Sequence, residues 1–313
     1  MKHSAMEATY TLIVPALIVA EDGAPGSLAE EAVALVGARM LGRIDWQGVA
    51  ADAGQAGALG LIVVEAEDVP DDKLAAALPR IAALALDTEA RVVVALADGQ
   101  IDLVAAHLFG SHVELLCAPT LADRVAALAM ALMPRGTQLH DSRSDAESSR
   151  LRRLNKEVAR IAEVLARLTR EEEGDSALRS VGLKSRPGHH ATLPDGDSMP
   201  VSAREVRDAI RARRLRDQYF QRGLFEDPAW DMLLDLFAAE LEEARVSVSS
   251  LCIAAAVAPT TALRWIAKMT EAGVFVRQAD PFDKRRAFMA LSPGARHGMR
   301  DYFMALKRGG PFA

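Results

Sequence analysis

Across residues 10–132, short runs of consecutive aliphatic residues alternate with Ala-rich stretches of helical period, and no other feature of the 313-residue chain limits its fold as much. The strand candidates are 10–20 (YTLIVPALIVA), a weak one at 42–45, 59–65 (LGLIVVE), 91–97 (RVVVALA) and 112–117 (HVELLC). Helix candidates fill the intervals at about 27–40, 46–56, 71–86, 99–108 and 119–132. A strand with one wet face alternates apolar and polar residues, and these runs do not. Strands apolar on both faces need helices above and below, and therefore a mostly parallel sheet. The expectation is an α/β domain over residues 1–140. The run Glu21-Asp22-Gly23-Ala24-Pro25-Gly26 after the first strand lacks the spacing of a dinucleotide or phosphate loop, so no cofactor is expected.

The apolar run Leu12–Ala20 is far too short to span a bilayer and leads into Glu21 and Asp22 rather than a cleavage site. It reads as a core strand, with no membrane partner. The two cysteines, Cys117 and Cys252, lie far apart in apolar runs. They are too few for a disulfide framework or a zinc site, so buried thiols in a cytoplasmic protein are expected. The net charge of −6 conceals a polarity. Residues 1–140 carry 8 basic and 18 acidic side chains, 141–200 carry 11 of each, and 201–313 carry 18 basic and 14 acidic. A polyanion would meet the C-terminal third.

The character changes at Leu151. Leu151, Leu154, Val158, Ile161, Leu165 and Leu168 recur at alternating spacings of three and four, flanked by charge. That seam predicts a dimerising coiled-coil helix over 141–173 and hence a homodimer; an amphipathic helix packed on the first domain is the alternative. Residues 174–200 are rich in Gly, Pro and Ser without an apolar face, which predicts a flexible linker. His189 and His190 lack the neighbours a metal site needs.

Residues 201–313 are helical again. A helix from Ser202 to about Arg222 is broken by Gly223, and Pro228 opens another to about Glu243. The arginines at 204–216 border DNA or merely solubilise their helix. Ser247–Ala256 reads as a short helix, Val257-Ala258-Pro259 as a turn, and TTALRWIAKMTEAG as a second helix ending at Gly273. Two short helices across a tight turn suit a helix-turn-helix. Leu263, Ile266, Ala267 and Met269 line one face of the second helix, while Thr260, Thr261, Arg264, Trp265 and Lys268 project from the other. Positions 260, 264 and 268 are one turn apart and form a stripe fit for a groove. Strands at 274–279 and 287–291 flank Lys284, Arg285 and Arg286, a basic hairpin able to grip phosphates. Ser292 and Pro293 start a last helix.

The stretch from Pro228 to about Tyr302 resembles the MarR-type winged-helix regulators. The likeness is carried by Ser250-Leu251, by Met269, Gly273 and Arg277, by the wing Asp280-Pro281-Phe282-Asp283-Lys284-Arg285-Arg286, and by Leu291-Ser292-Pro293-Gly294. It implies a sequence-specific transcription regulator of double-stranded DNA, with Asp283 supporting the wing and Arg285 at DNA. Trp265 departs from the family's usual polar group, and contacts a thymine methyl or packs at the domain surface.

The front domain resembles a response-regulator receiver of flavodoxin-like fold, in degenerate form. Glu21 and Asp22 follow strand one, Glu65 stands where the phosphoaccepting aspartate would be, Ala97 replaces a hydroxyl residue, and Cys117-Ala118-Pro119 lacks the lysine. The resemblance implies a pocket that is not phosphorylated and that docks a protein or a small-molecule effector. The plain alternative is that these acids are solvated. An enzyme built on Glu21, Asp22, Glu65 and His107 would lack a nucleophile–base pair or a metal-ligand spacing. The chain is expected to be no enzyme and to hold no metal; a protein-binding scaffold is the other alternative.

Overall fold

A computed structural model describes residues 14–51, 59–133, 200–220, 224–283 and 285–309. The heptad seam Leu151–Leu168, the 174–200 linker, His189, His190 and Lys284 lie outside the described residues.

The first region runs β1 (Pro15–Val19), α1 (Ala24–Leu35), β2 (Arg39–Ile44), α2 (Trp46–Ala51), β3 (Leu61–Glu65), α3 (Asp71–Thr88), β4 (Arg91–Leu96), α4 (Ile101–His107), β5 (Val113–Cys117) and α5 (Leu121–Leu132). The strands form one five-stranded sheet in the order β2-β1-β3-β4-β5, parallel throughout. Strand side chains alternate between faces, and the core divides accordingly. Ala16, Ile18, Leu61, Val63, Val93 and Leu116 meet Ala29, Val33, Ala127 and Leu128 of α1 and α5. Leu17, Val19, Ile62, Val64, Val92 and Val94 meet the other helices, including Leu74, Ile81 and Val104. Both faces are covered, as unbroken apolar strands demand.

The second region runs α6 (Ala203–Leu215), α7 (Pro228–Leu241), β6 (Val246–Ser247), α8 (Val248–Ala254), α9 (Pro259–Glu271), β7 (Phe275–Ala279), β8 (Ala287–Leu291) and α10 (Pro293–Gly309). Its helix starts follow local chemistry. Ser202 and Glu205 form a capping box at α6, Asp227 caps α7 ahead of Pro228, and Ser247 caps α8. At the end of α9, Gly273 takes φ +68°. Its N–H reaches Thr270 and that of Val274 reaches Met269, a Schellman closure that glycine enters without a Cβ penalty. The three strands pair antiparallel in the order β6-β8-β7. β6 escapes the sequence pattern because two residues carry no period.

Two of the arginines of α6 pair with acids on or beside α7, while Arg204, Arg211 and Arg214 are exposed. Arg207 Nη1 lies 2.6 Å from Asp235 and Nη2 2.8 Å from Glu242, while Arg213 Nε lies 2.8 Å from Asp231. They brace α6 against α7, whose acids fall on the facing side.

The two regions group into one compact unit. One contiguous set of buried side chains runs from Leu96, Val104 and Leu108 into Leu251, Ile266 and Phe275. Among the described residues no single helix is long and apolar enough to cross a membrane.

Candidate nucleic-acid interface

The helix-turn-helix forms from α8 and α9, whose axes turn by 109° across the connecting residues, within the roughly 90–120° that the motif uses. Ala262, Leu263 and Ile266 bury one face of α9, and Trp265 and Met269 pack partly against the same core. Leu263, Ile266 and Met269 belong to the 3.6-residue stripe read from the sequence, whereas Trp265, expected on the polar face, packs partly against the core. The opposite face carries Thr261, Arg264 and Lys268 exposed, with Thr260 half-buried. Lys268 Nζ sits 5.0 Å from the centre of the Trp265 ring, a cation–π contact that holds the ammonium at the surface.

The wing is a hairpin ordered by its own acids. Asp280 accepts from the amides of Phe282 at 2.8 Å and Asp283 at 3.3 Å. Asp283 accepts from the amide of Arg285 at 2.9 Å, and its carboxylate lies 3.5 Å from Arg286 Nε. Short aspartates that bond their own turn stiffen it, leaving Arg285 and Arg286 exposed on the outer side. Phe282 is 92% exposed at this turn. The sequence names it only within the wing motif and gives it no role, because an apolar residue between aspartates carries no periodic signal.

The N-terminal half of α9 is engaged on one side by the first region. It packs against β5, an edge strand of the parallel sheet. The Cys117 N–H donates to Thr260 Oγ1 at 2.9 Å, and the Arg264 guanidinium pairs with the Glu114 carboxylate. Alongside, the Asp102 carboxylate of α4 accepts from Ser249 N at 2.9 Å and from Ser249 Oγ at 2.6 Å. Arg277 of β7 donates to the Ala106 carbonyl near the end of α4, where a cation complements the helix dipole. Burial holds the Arg277 guanidinium below its ordinary value. Burial, then Arg277, does the same for the His107 imidazole. The sequence marks Thr260 and Arg264 as solvent-facing; the structure sets both against a strand about 145 residues away in sequence, to judge by the separations of 143 and 150.

The acids after the strands do not converge. Lys73 pairs with Glu21 at 3.0 Å, Arg43 with Asp22, and Arg124 with Glu65. Arg124, from α5, donates to Glu65 through Nε at 2.9 Å and Nη2 at 2.7 Å, and reaches Glu67 at 2.7 Å. Burial pushes the Glu65 carboxyl up, against the pull of Arg124. Gln100 stitches the same edge, donating to the carbonyls of Ala66 and Val69 and accepting from the Ala97 amide. Arg124 and Gln100 are absent from the sequence candidates; the one visible signal is a lone arginine in the Ala/Leu-rich α5. Among the described residues no group of three His, Cys, Asp or Glu side chains is placed to hold a metal ion. Cys117 and Cys252 are free, and burial pushes each thiol up to about 12, so neither is a ready nucleophile.

Helix, turn, helix and basic hairpin define a winged helix. No family model matches the sequence, and no curated protein matches it either. The solved structures that it is similar to include transcriptional regulators. A probable transcriptional regulator from Pseudomonas aeruginosa is 24% identical over 33% of this chain and 72% of its own, with a TM-score of 0.22. MepR of S. aureus, bound to ethidium bromide, is 14% identical over 34% and 72%, with a TM-score of 0.23. BpsR of Bordetella bronchiseptica, whose DNA binding 6-hydroxynicotinic acid regulates, is 13% identical over 41% and 87%, with a TM-score of 0.21.

Proposed function

We propose that the chain is a sequence-specific, DNA-binding transcription regulator acting as a homodimer. The observation that carries this reading is the exposure of Lys268 on α9 together with Arg285 and Arg286 on the adjoining wing. A helix that ends in a surface cation beside a basic hairpin can lie in a major groove while the hairpin grips phosphates. Thr260, Thr261, Arg264, Trp265 and Lys268 read bases and backbone, Lys284, Arg285 and Arg286 hold the flanking phosphates, and Asp283 supports the wing.

The remaining parts take supporting roles. Residues 1–140 form a flavodoxin-like, receiver-derived domain, a reading that the strand order β2-β1-β3-β4-β5 supports. Its exposed Glu21 and Asp22 dock a protein or small-molecule effector without phosphorylation, and Glu65, buried against Arg124, takes no part. Glu65 already has a permanent charge partner in Arg124, where a switch would need one that comes and goes. Residues 141–173 pair two chains through the 151–168 seam, and 174–200 link that helix to the winged helix at 201–313. No catalysis is assigned.

Genomic footprinting tests the reading with wild type and an Arg264→Ala, Lys268→Ala, Arg285→Ala triple variant. Occupancy should collapse in the variant, and each lost phosphate contact should flatten the logarithmic salt slope by about 0.9. Equal occupancy by both proteins ends the proposal. One observation favours a second reading: the face of α9 already engages a protein strand through Thr260 and Arg264. On that reading the winged helix is a protein-docking element, and the absence of binding to any duplex at low salt would select it.

A further inference from the structure

The contacts between β5, α4 and the helix-turn-helix have a consequence for DNA binding. A B-DNA major groove is about 12 Å wide and walls a recognition helix on both sides. A helix with a β-strand along its polar face cannot enter it. We propose that the folded chain is self-masked: the edge strand β5 and the helix α4 occupy part of the DNA-facing surface of α8 and α9, and specific binding requires the two to part. The inference rests on the DNA-binding reading above.

Three features distinguish this contact from ordinary packing. First, it engages the groove stripe itself. Of the three positions one turn apart, Thr260 is bonded to the Cys117 amide and Arg264 is paired with Glu114, while Lys268 stays exposed. Second, its donors and acceptors imitate a nucleic-acid backbone. Glu114 offers Arg264 the anion that a phosphate would offer, and Asp102 offers the same to the amide and hydroxyl of Ser249. Third, β5 has an edge to spare. The Ala118 amide bonds Leu96 of β4, so the preceding Cys117 amide points away from the sheet and takes Thr260 instead. Open strand edges are commonly covered; here the cover is the recognition helix.

The mask is partial. Lys268, Arg285 and Arg286 remain exposed and supply a first, sequence-blind hold on phosphates. DNA and the acidic domain then compete for Thr260 and Arg264. Anything that favours the parted form, an effector on the α/β domain included, raises affinity without touching DNA.

The test uses the full-length chain with Asp102→Ala and Glu114→Ala together. One measurement is fluorescence-anisotropy binding to a pool of random-sequence duplexes and to duplexes selected from it. The other is hydrogen exchange at the amides of Cys117 and Ser249, which the contact protects. The variant should exchange faster at both amides and bind selected duplexes about tenfold more tightly than wild type. Glu114→Gln alone, a change that keeps the side chain's size, should move both readouts the same way by less, and stands in if the double variant fails to fold. Duplex binding of equal strength by wild type and variant overturns the mask and leaves the DNA-binding reading standing. Faster exchange with no duplex bound by either protein overturns the DNA-binding reading on which the mask depends.

Discussion

Two carboxylate–arginine pairs join a strand of the sheet to a helix, and their surroundings give them opposite characters. Glu65 and Arg124 meet inside the first region with side chains 1% and 4% exposed, and Glu67 shares the guanidinium. Glu114 and Arg264 meet where the two regions touch, with side chains 28% and 43% exposed. A desolvated pair cannot be parted without stranding a charge in a medium that cannot solvate it. A pair that water reaches gains little from its own attraction and exchanges partners readily. The first pair therefore fixes the end of β3 to α5. The second is built of the same groups and is open to exchange.

Substitutions can break this contrast or sharpen it. The largest effect is expected from Arg124→Met, which leaves Glu65 buried without its partner. Urea unfolding should show a loss of about 3–5 kcal/mol, and adding Glu65→Leu should recover much of it. Unchanged stability in the single variant would make the two pairs alike. A far smaller effect is expected from Glu114→Ala, below about 1 kcal/mol in the same assay. A loss as large as that of Arg124→Met would recast the contact between the regions as fixed architecture.

The smallest effect concerns acid. Arg207 holds the Glu242 carboxyl below its ordinary 4.5, and the Ser202 amide with Lys307 does the same for Glu205. Carboxyls held low in the folded state stabilise it above the unfolded value, and that stabilisation is lost as pH falls through the folded one. Melting temperature should therefore slip slightly below about pH 4.5. Glu242→Gln should remove part of the slip, since both groups are mostly solvated. An identical pH profile for the variant would dismiss the α6–α7 brace as a contributor.

Much of the fold was legible beforehand, because the patterns that specify it are local. Apolar runs marked β3, β4 and β5, and the capping residues and Gly273 marked the helix ends of the winged helix. The candidate site was legible in part. The groove stripe and the wing could be numbered from spacing alone. Arg124 and Gln100 could not, and neither could the engagement of Thr260 and Arg264. A polar side chain that bonds a distant strand has the same sequence signature as one in water. Periodicity reports only which face of an element is apolar.

Sequence alone determined the layered α/β region, the helix-turn-helix with its wing, and the acidic front set before a basic back. Each of these follows from the period of apolar residues, from caps, or from charge counts. The tertiary structure decided which polar residues are occupied. Glu65 is closed off by an arginine 59 residues further on, and two of the three groove-stripe positions are laid against the edge of β5. Those outcomes depend on which surfaces meet after the elements have formed, and no local pattern carries that information.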